Sequence, residues 1–230
     1  MNHELQISPV AYIRTGFSSK FGIPRQSGLA DHTEGTIVFT PKFRSPETVR
    51  ELDGFSHIWL IFGFSESYGQ PWHPTVRPPR LGGNRRVGVF ASRSPFRPNP
   101  LGLSCVELDR IEYGEEGPLL HVYGADLLDG TPIYDIKPYL PISDCLPDAK
   151  EGYTAQTKAH RLTVDFPESL ADDVDPHVLP ALFELLAFDP RPGYMEEGSR
   201  VFGFSYCGYE IGFTVLNGTA HVCRVEKSPS

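Results

Sequence analysis

No apolar run in this 230-residue chain is long enough to cross a bilayer. The opening residues, MNHELQISPVAYIR, lack the basic-then-apolar order of a secretory signal, which points to a cytoplasmic protein. Cysteine is scarce. Cys105, Cys145, Cys207 and Cys223 stand far apart, with no Cys-x-x-Cys pair and no histidine cluster. That spacing favours reduced, buried thiols over a metal site. Four catalytic signatures are missing as well: Gly-x-Gly-x-x-Gly after a strand, a glycine-rich loop ending in Gly-Lys-Ser/Thr, His-Glu-x-x-His, and Gly-x-Ser-x-Gly. Ordinary dinucleotide, ATP, zinc and serine-hydrolase chemistries lose their usual support.

What is present is concentrated positive charge. Residues 77–104, RPPRLGGNRRVGVFASRSPFRPNPLGLS, hold six arginines and no acidic residue, with five prolines and four glycines between them. A guanidinium is a planar fork of donors suited to phosphate and carboxylate groups. VGVFA in the middle reads as a buried strand, so the stretch reads as a binding site built on loops around a strand. The pair Gly82-Gly83 before Asn84 is a weak phosphate-loop signal and a stronger turn signal. Net charge is −8, but unevenly spread: residues 1–100 carry 12 basic and 7 acidic side chains, residues 101–230 carry 9 and 22. A basic surface on an acidic body suits nucleic acid, and it suits single-site anion binding equally.

The fold expected is mainly β: an N-terminal β-barrel over residues 1–148 and a small C-terminal α+β domain over 149–230. Short runs rich in Ile, Val, Phe and Tyr, punctuated by Gly, Pro and Asp, predict strands at 5–13 (broken at Pro9), 36–40, 55–64, 86–91, 104–111, 119–123 and 132–136. One short helix is expected after Ser45-Pro46, ending near Gly54. Many short strands with little helix favour a barrel or sandwich. After a polar linker near residue 150, an amphipathic helix is expected over 177–188, stopped by DPRPGY. Asn217-Gly218 between two apolar runs then marks a hairpin.

Four stretches stand out chemically: KFGIPRQSG (20–28), LDGFSHIWLIFGF with Ser65-Glu66 after it, the arginine stretch, and DLLDGTPIYDIKPYLP (126–141). Each has a plain structural reading. His57 alternates with apolar neighbours like a satisfied structural histidine, DGTP is a common turn, and Asp135 with Lys137 is a possible surface ion pair.

Together these stretches resemble the TsaA/YaeB-like (TrmO) family, through PRQ at 24–26, FSHIW at 55–59, RPPRLGGN at 77–84, GVFASRSPFRPNPLGLS at 88–104 and the DLLDGTP stretch. The resemblance covers most of the first 148 residues, and DPRPGY with the hairpin resembles the tail of bacterial members. It implies a β-barrel methyltransferase, homodimeric, that uses S-adenosylmethionine to methylate the exocyclic amino nitrogen of threonylcarbamoyl-adenosine at position 37 of tRNA. It implies cofactor contacts from Arg25, Gln26, Ser65, Glu66, Arg93, Leu103, Asp129, Gly130 and Thr131. This chain departs from the family at Ser65, where members carry histidine.

The residue types suit those roles. Arg25 or Arg93 can hold a carboxylate, Asp129 or Glu66 can accept from hydroxyl or amino groups, Gly130 admits close backbone approach, and Leu103 offers an apolar wall. Methyl transfer makes no demand for a metal. The acceptor is part of a ureido group and gains from losing its proton, which makes Asp135 a candidate base, with Lys137 or Arg97 holding an anionic group of the substrate. For RNA, Arg77, Arg80, Arg85 and Arg86 are candidate backbone contacts, and Trp72, Phe96 or Tyr139 candidate stacking partners for anticodon-loop bases. A non-catalytic S-adenosylmethionine- or RNA-binding protein on the same scaffold is the alternative reading.

Overall fold

Alternating burial shapes the first part of the chain. The structure, a computed structural model, describes residues 3–78, 85–156, 161–191 and 198–228; Arg80, Gly82 to Asn84 and Tyr194 lie outside them. Strands β1 (Ala11–Thr15), β2 (Glu34–Phe39) and β3 (His57–Gly63) are followed by a two-residue pair, β4 (Thr75–Val76) with β5 (Val87–Gly88). Then come β6 (Leu101–Gly114), β7 (Gly117–Tyr123) and β8 (Thr131–Pro138). Six strands close into an antiparallel barrel in the order β1-β2-β7-β6-β3-β8, which leaves no free edge among them.

Ile13, Ile37, Ile58, Leu60, Leu120 and Ile133 point into the barrel and are fully buried. Each contributes about 1.5–3 kcal/mol through removal from water. Truncating Leu60 to alanine should cost about 2–5 kcal/mol in a denaturant melt, because a closed cylinder relaxes poorly around a void. The side chains between these inward ones, including Trp59, Ile61 and Leu103, stand on the outer face.

The second part follows a four-residue helix α1 (Pro141–Asp144). It contains β9 (Thr163–Asp165), the single-turn α2 (Glu168–Ala171), α3 (Leu179–Ala187), β10 (Gly198–Tyr206), β11 (Tyr209–Leu216) and β12 (Thr219–Lys227). The sheet runs β10-β11-β12-β9, with β9 parallel to β12. Helix α3 buries Ala181, Leu182, Leu185 and Leu186 in one core with Phe202, Phe204, Ile211 and Phe213 of the sheet. The turn at Asn217-Gly218 has φ of 52° and 71°, the paired positive angles of a type I′ hairpin.

The segment between β1 and β2 belongs to this second core. Phe17 and Ala30 are buried within it. The Cys207 amide donates to the Gly16 carbonyl at 2.9 Å, and the Glu34 amide to the Tyr206 hydroxyl at 3.3 Å. His32 meets Glu184 through both its ring and its amide, at 2.7 and 2.9 Å. The loop carrying Pro24-Arg25-Gln26 is therefore clamped from the C-terminal side.

Several local expectations need correction. VGVFA forms no long strand: only Val87-Gly88 pair, and a 3-10 turn over Val89–Ala91 buries Val89 while Phe90 stays 78% exposed. The first strand starts after Pro9, because the Val10 amide is the first to find a barrel partner, the Ile133 carbonyl; Leu5 is 86% exposed. The helix expected near Ser45 is a pair of 3-10 turns, Pro46–Val49 and Leu52–Gly54, the first capped by the Ser45 hydroxyl. All four thiols are free, yet only Cys105 is half-buried and the other three are exposed.

Candidate active site

The barrel's outer face and its flanking loops line one large, open cavity of about 1730 Å³. Its residues come from separate parts of the chain. The loop after β1 brings Arg25 and Gln26, and the 3-10 turn after β3 brings Ser65 and Glu66. The segment beyond β5 brings Arg93 and Arg97, and β6 contributes Leu103 and Ser104. Arg77 and Arg86 line it too, with Leu127, Leu128 and Thr131. Arg77, Arg86, Arg93 and Arg97 thus share a single cavity.

Local bonds hold these groups in place. Arg93 Nη1 donates to Gln26 Oε1 at 3.2 Å, Arg97 Nη1 to the Ser92 carbonyl at 3.1 Å, and Arg86 Nη1 to Thr75 Oγ1 at 3.2 Å. Arg25 Nη2 donates to the Arg191 carbonyl at 2.9 Å. Arg191 is itself held by Asp189, through Nε at 2.8 Å and Nη2 at 3.0 Å, in a pair buried on both sides. On the rim, Glu66 pairs with Lys20 at 3.7 Å. Gly102 lets the Phe62 ring lie against β6, since a Cβ there would come within 2.2 Å of that ring.

Other expected site residues lie apart from the lining. Asp129 Oδ1 accepts from the Thr15 amide at 2.9 Å, and the Gly130 amide donates to the Ile13 carbonyl at 2.9 Å, with Gly130 at φ 74°. These contacts tie the DGTP turn to β1; of this turn, Thr131 reaches the cavity. Asp135 and Lys137 pair with each other at 2.9 Å, with side chains 51% and 62% exposed. A bulge in the β3–β8 register places Asp135 opposite Ile61, which does line the cavity. Asp135 is thus one strand away, at the cavity's edge. Tyr139 lies beside Trp59, ring centroids 5.9 Å apart, and Arg85 is exposed outside the lining.

One group that sequence reasoning passed over is Asp126. It lines the cavity with one carboxylate oxygen, Oδ1, buried and without a hydrogen-bond partner. Burial pushes its carboxyl up to about 6, against the pull of the Ser104 hydroxyl, the backbone amides of Asp126 and Ser27, and the Arg93 charge. The available signal was its setting between Ala125 and Leu127, both buried, whereas Asp129 precedes a glycine turn.

The tRNA-methyltransferase O N-terminal domain model matches residues 12–145, and the TrmO C-terminal domain model matches 159–228. The tRNA (adenine(37)-N6)-methyltransferase of Escherichia coli (strain K12) is 37% identical over 229 residues, 96% of this chain and 97% of that one. A Pseudomonas aeruginosa relative with the provisional name S-adenosylmethionine-dependent methyltransferase is 41% identical over 205 residues, 86% of this chain and 87% of its own. A crystal structure of P. aeruginosa TrmO superposes with a TM-score of 0.81 at 33% identity and covers 99% of both chains. With both parts of the chain matched and relatives aligned along nearly all of it, the chain belongs to the tRNA-methyltransferase O family.

Proposed function

We propose that this chain is an S-adenosylmethionine-dependent methyltransferase that modifies the exocyclic amino nitrogen of threonylcarbamoyl-adenosine at position 37 of tRNA. The observation that carries the reading is the single cavity that gathers Arg25, Gln26, Ser65, Glu66, Arg93 and Leu103 beside the arginines Arg77, Arg86 and Arg97. Small-ligand pockets measure about 300–1,000 Å³. A cavity of about 1730 Å³ has room for a donor and an acceptor nucleotide together.

The residues suit the donor. When bound, S-adenosylmethionine supplies a methyl group activated on a sulfonium. Arg25 and Arg93 offer guanidinium groups for its carboxylate, Leu103 and Leu127 offer apolar walls, and Asp126 offers an unpartnered carboxylate oxygen. Positioning two reactants in line and excluding water is the protein's main contribution to such a displacement. Asp135 is the proposed base for the acceptor nitrogen: it is exposed at the cavity's edge, where a large nucleotide can reach it, and Lys137 stands beside it for an anionic group.

For the RNA, Arg85 and Arg86 are proposed phosphate contacts, and Trp72, Phe90 and Phe96 expose rings on which unstacked bases can lie. The proposal extends to a cytoplasmic homodimer with a methyltransferase domain over 1–148 and a smaller domain over 149–230. Among the described residues, no helix is long and apolar enough to cross a membrane.

The test is labelled methyl transfer to tRNA with and without the threonylcarbamoyl group. Transfer confined to the modified tRNA is expected; donor binding without transfer to either substrate refutes the catalytic reading. In the same assay, Asp135→Asn should slow single-turnover transfer by about 10²–10⁴-fold. An unchanged rate removes Asp135 as the base.

A further inference from the structure

We propose that Asp126 is the counter-charge for the cationic part of the methyl donor, the one carboxylate that makes an arginine-lined cavity hospitable to a positively charged ligand. The inference rests on the donor reading above and gives the Asp126 carboxylate in it a specific charge to meet.

The cavity presents six basic side chains, Lys20, Arg25, Arg77, Arg86, Arg93 and Arg97, but two carboxylates, Glu66 and Asp126. Such a field attracts the donor's carboxylate and an RNA backbone, and it repels a sulfonium or ammonium. Glu66 is ill placed to offset this, being exposed on the rim and paired with Lys20 at 3.7 Å. Asp126 differs in both respects. Its Oδ1 is buried, lacks a hydrogen-bond partner, and makes no ion pair among the described residues. A buried carboxylate oxygen left without a partner costs free energy, and the cost is offset when a ligand brings a positive charge to it. A buried oxygen also suits the small donor better than the bulky acceptor nucleotide, which leaves Asp135 its separate role.

The neighbours define what pH should do. Arg93 faces Asp126 from the segment beyond β5, the Ser104 hydroxyl comes from β6, and the Ser27 amide comes from the loop after β1. Arg25 and His73 line the same cavity, and Cys105 follows Ser104 on β6. Since the Asp126 carboxyl is pushed up to about 6, the ligand-free site is increasingly protonated below that pH, and a cation then meets a neutral group. Donor affinity should fall about tenfold between pH 7.5 and pH 5 and level off above pH 7. Replacing Asp126 isolates the part of this dependence that its carboxyl carries.

The experiment is calorimetric titration of the full-length protein with S-adenosylmethionine and with S-adenosylhomocysteine, from pH 5 to 8, on wild type and Asp126→Asn. The variant should bind S-adenosylmethionine at least about tenfold more weakly at pH 7.5 and lose most of the pH dependence. Its melting temperature should stay close to that of wild type, because the isosteric amide keeps an oxygen for the Ser104 hydroxyl and the Ser27 amide. A loss confined to S-adenosylmethionine assigns the contact to the sulfonium, and a loss shared with S-adenosylhomocysteine assigns it to the α-ammonium; either supports the proposal. Wild-type affinity in Asp126→Asn or a flat wild-type pH profile overturns it. Wild-type protein that binds no S-adenosylmethionine at any pH overturns the donor reading and this inference with it.

Discussion

Replacing Asp189 with alanine should unfold the C-terminal side of the cavity and cost about 3–5 kcal/mol, which for a chain of this size lowers the melting temperature by on the order of 10 °C. The size of the effect follows from burial. Asp189 and Arg191 have side chains 9% and 5% exposed, and the carboxylate takes two guanidinium bonds and the Arg191 amide. Removing one partner strands the other charge in the interior. The loss should also reach the cavity, because the Arg191 carbonyl holds Arg25 at 2.9 Å. S-adenosylmethionine affinity should therefore drop in Asp189→Ala. In an Arg25→Ala background the same change should add little to that drop while keeping its full effect on stability. Independent, additive losses of affinity would show that Asp189 acts on the donor site by another route.

The second large effect concerns RNA. Reversing both charges in Arg85→Glu/Arg86→Glu should weaken tRNA binding by on the order of 10- to 100-fold at physiological salt. It should also reduce the slope of log affinity against log salt by about 2, one unit for each lost phosphate contact. Both side chains are exposed at the end of the segment where it enters β5. Filter binding across 50–300 mM salt reads both quantities, and an unaltered slope would remove these arginines from the RNA interface.

The barrel was largely legible because its strands alternate. β2, β3, β7 and β8 fall within two or three residues of their expected positions, since inward residues such as Ile37, Leu60 and Leu120 recur every second place. The hairpin at Asn217-Gly218 was equally readable, as few other dipeptides accept two positive φ angles. The failures share a cause: tertiary partners that no local pattern announces. VGVFA has strand composition but only a two-residue β4 to pair with, so the chain turns after Gly88. β9 is three residues long and exists because β12 offers it a parallel edge. Strand β10 has a weaker local signal than the hairpin that follows it and is held by pairing with β11.

The site was legible to a different degree. The resemblance named residues that the fold gathers from distant segments, but it gave no means of ranking them. Asp129 and Gly130, expected as ligand contacts, also bond Thr15 and Ile13 and so secure the turn. Asp126, three residues earlier, has the buried and unpartnered oxygen. Hydrogen-bond satisfaction separates the two aspartates, and that property exists only once the chain is folded.

The clamp on the loop between β1 and β2 has a consequence for synthesis. The segment from Gly16 to Glu34, which carries Arg25, leaves the ribosome early, while its anchors, Arg191, Tyr206 and Cys207, emerge near the end. At about 5–20 residues per second that interval is on the order of 10–30 s. During it β1 and β2 are already made, but Phe17, destined for the second core, has nothing to pack against. The nascent barrel therefore carries an exposed apolar loop that a chaperone can hold, and the cavity is completed only when the last strands arrive.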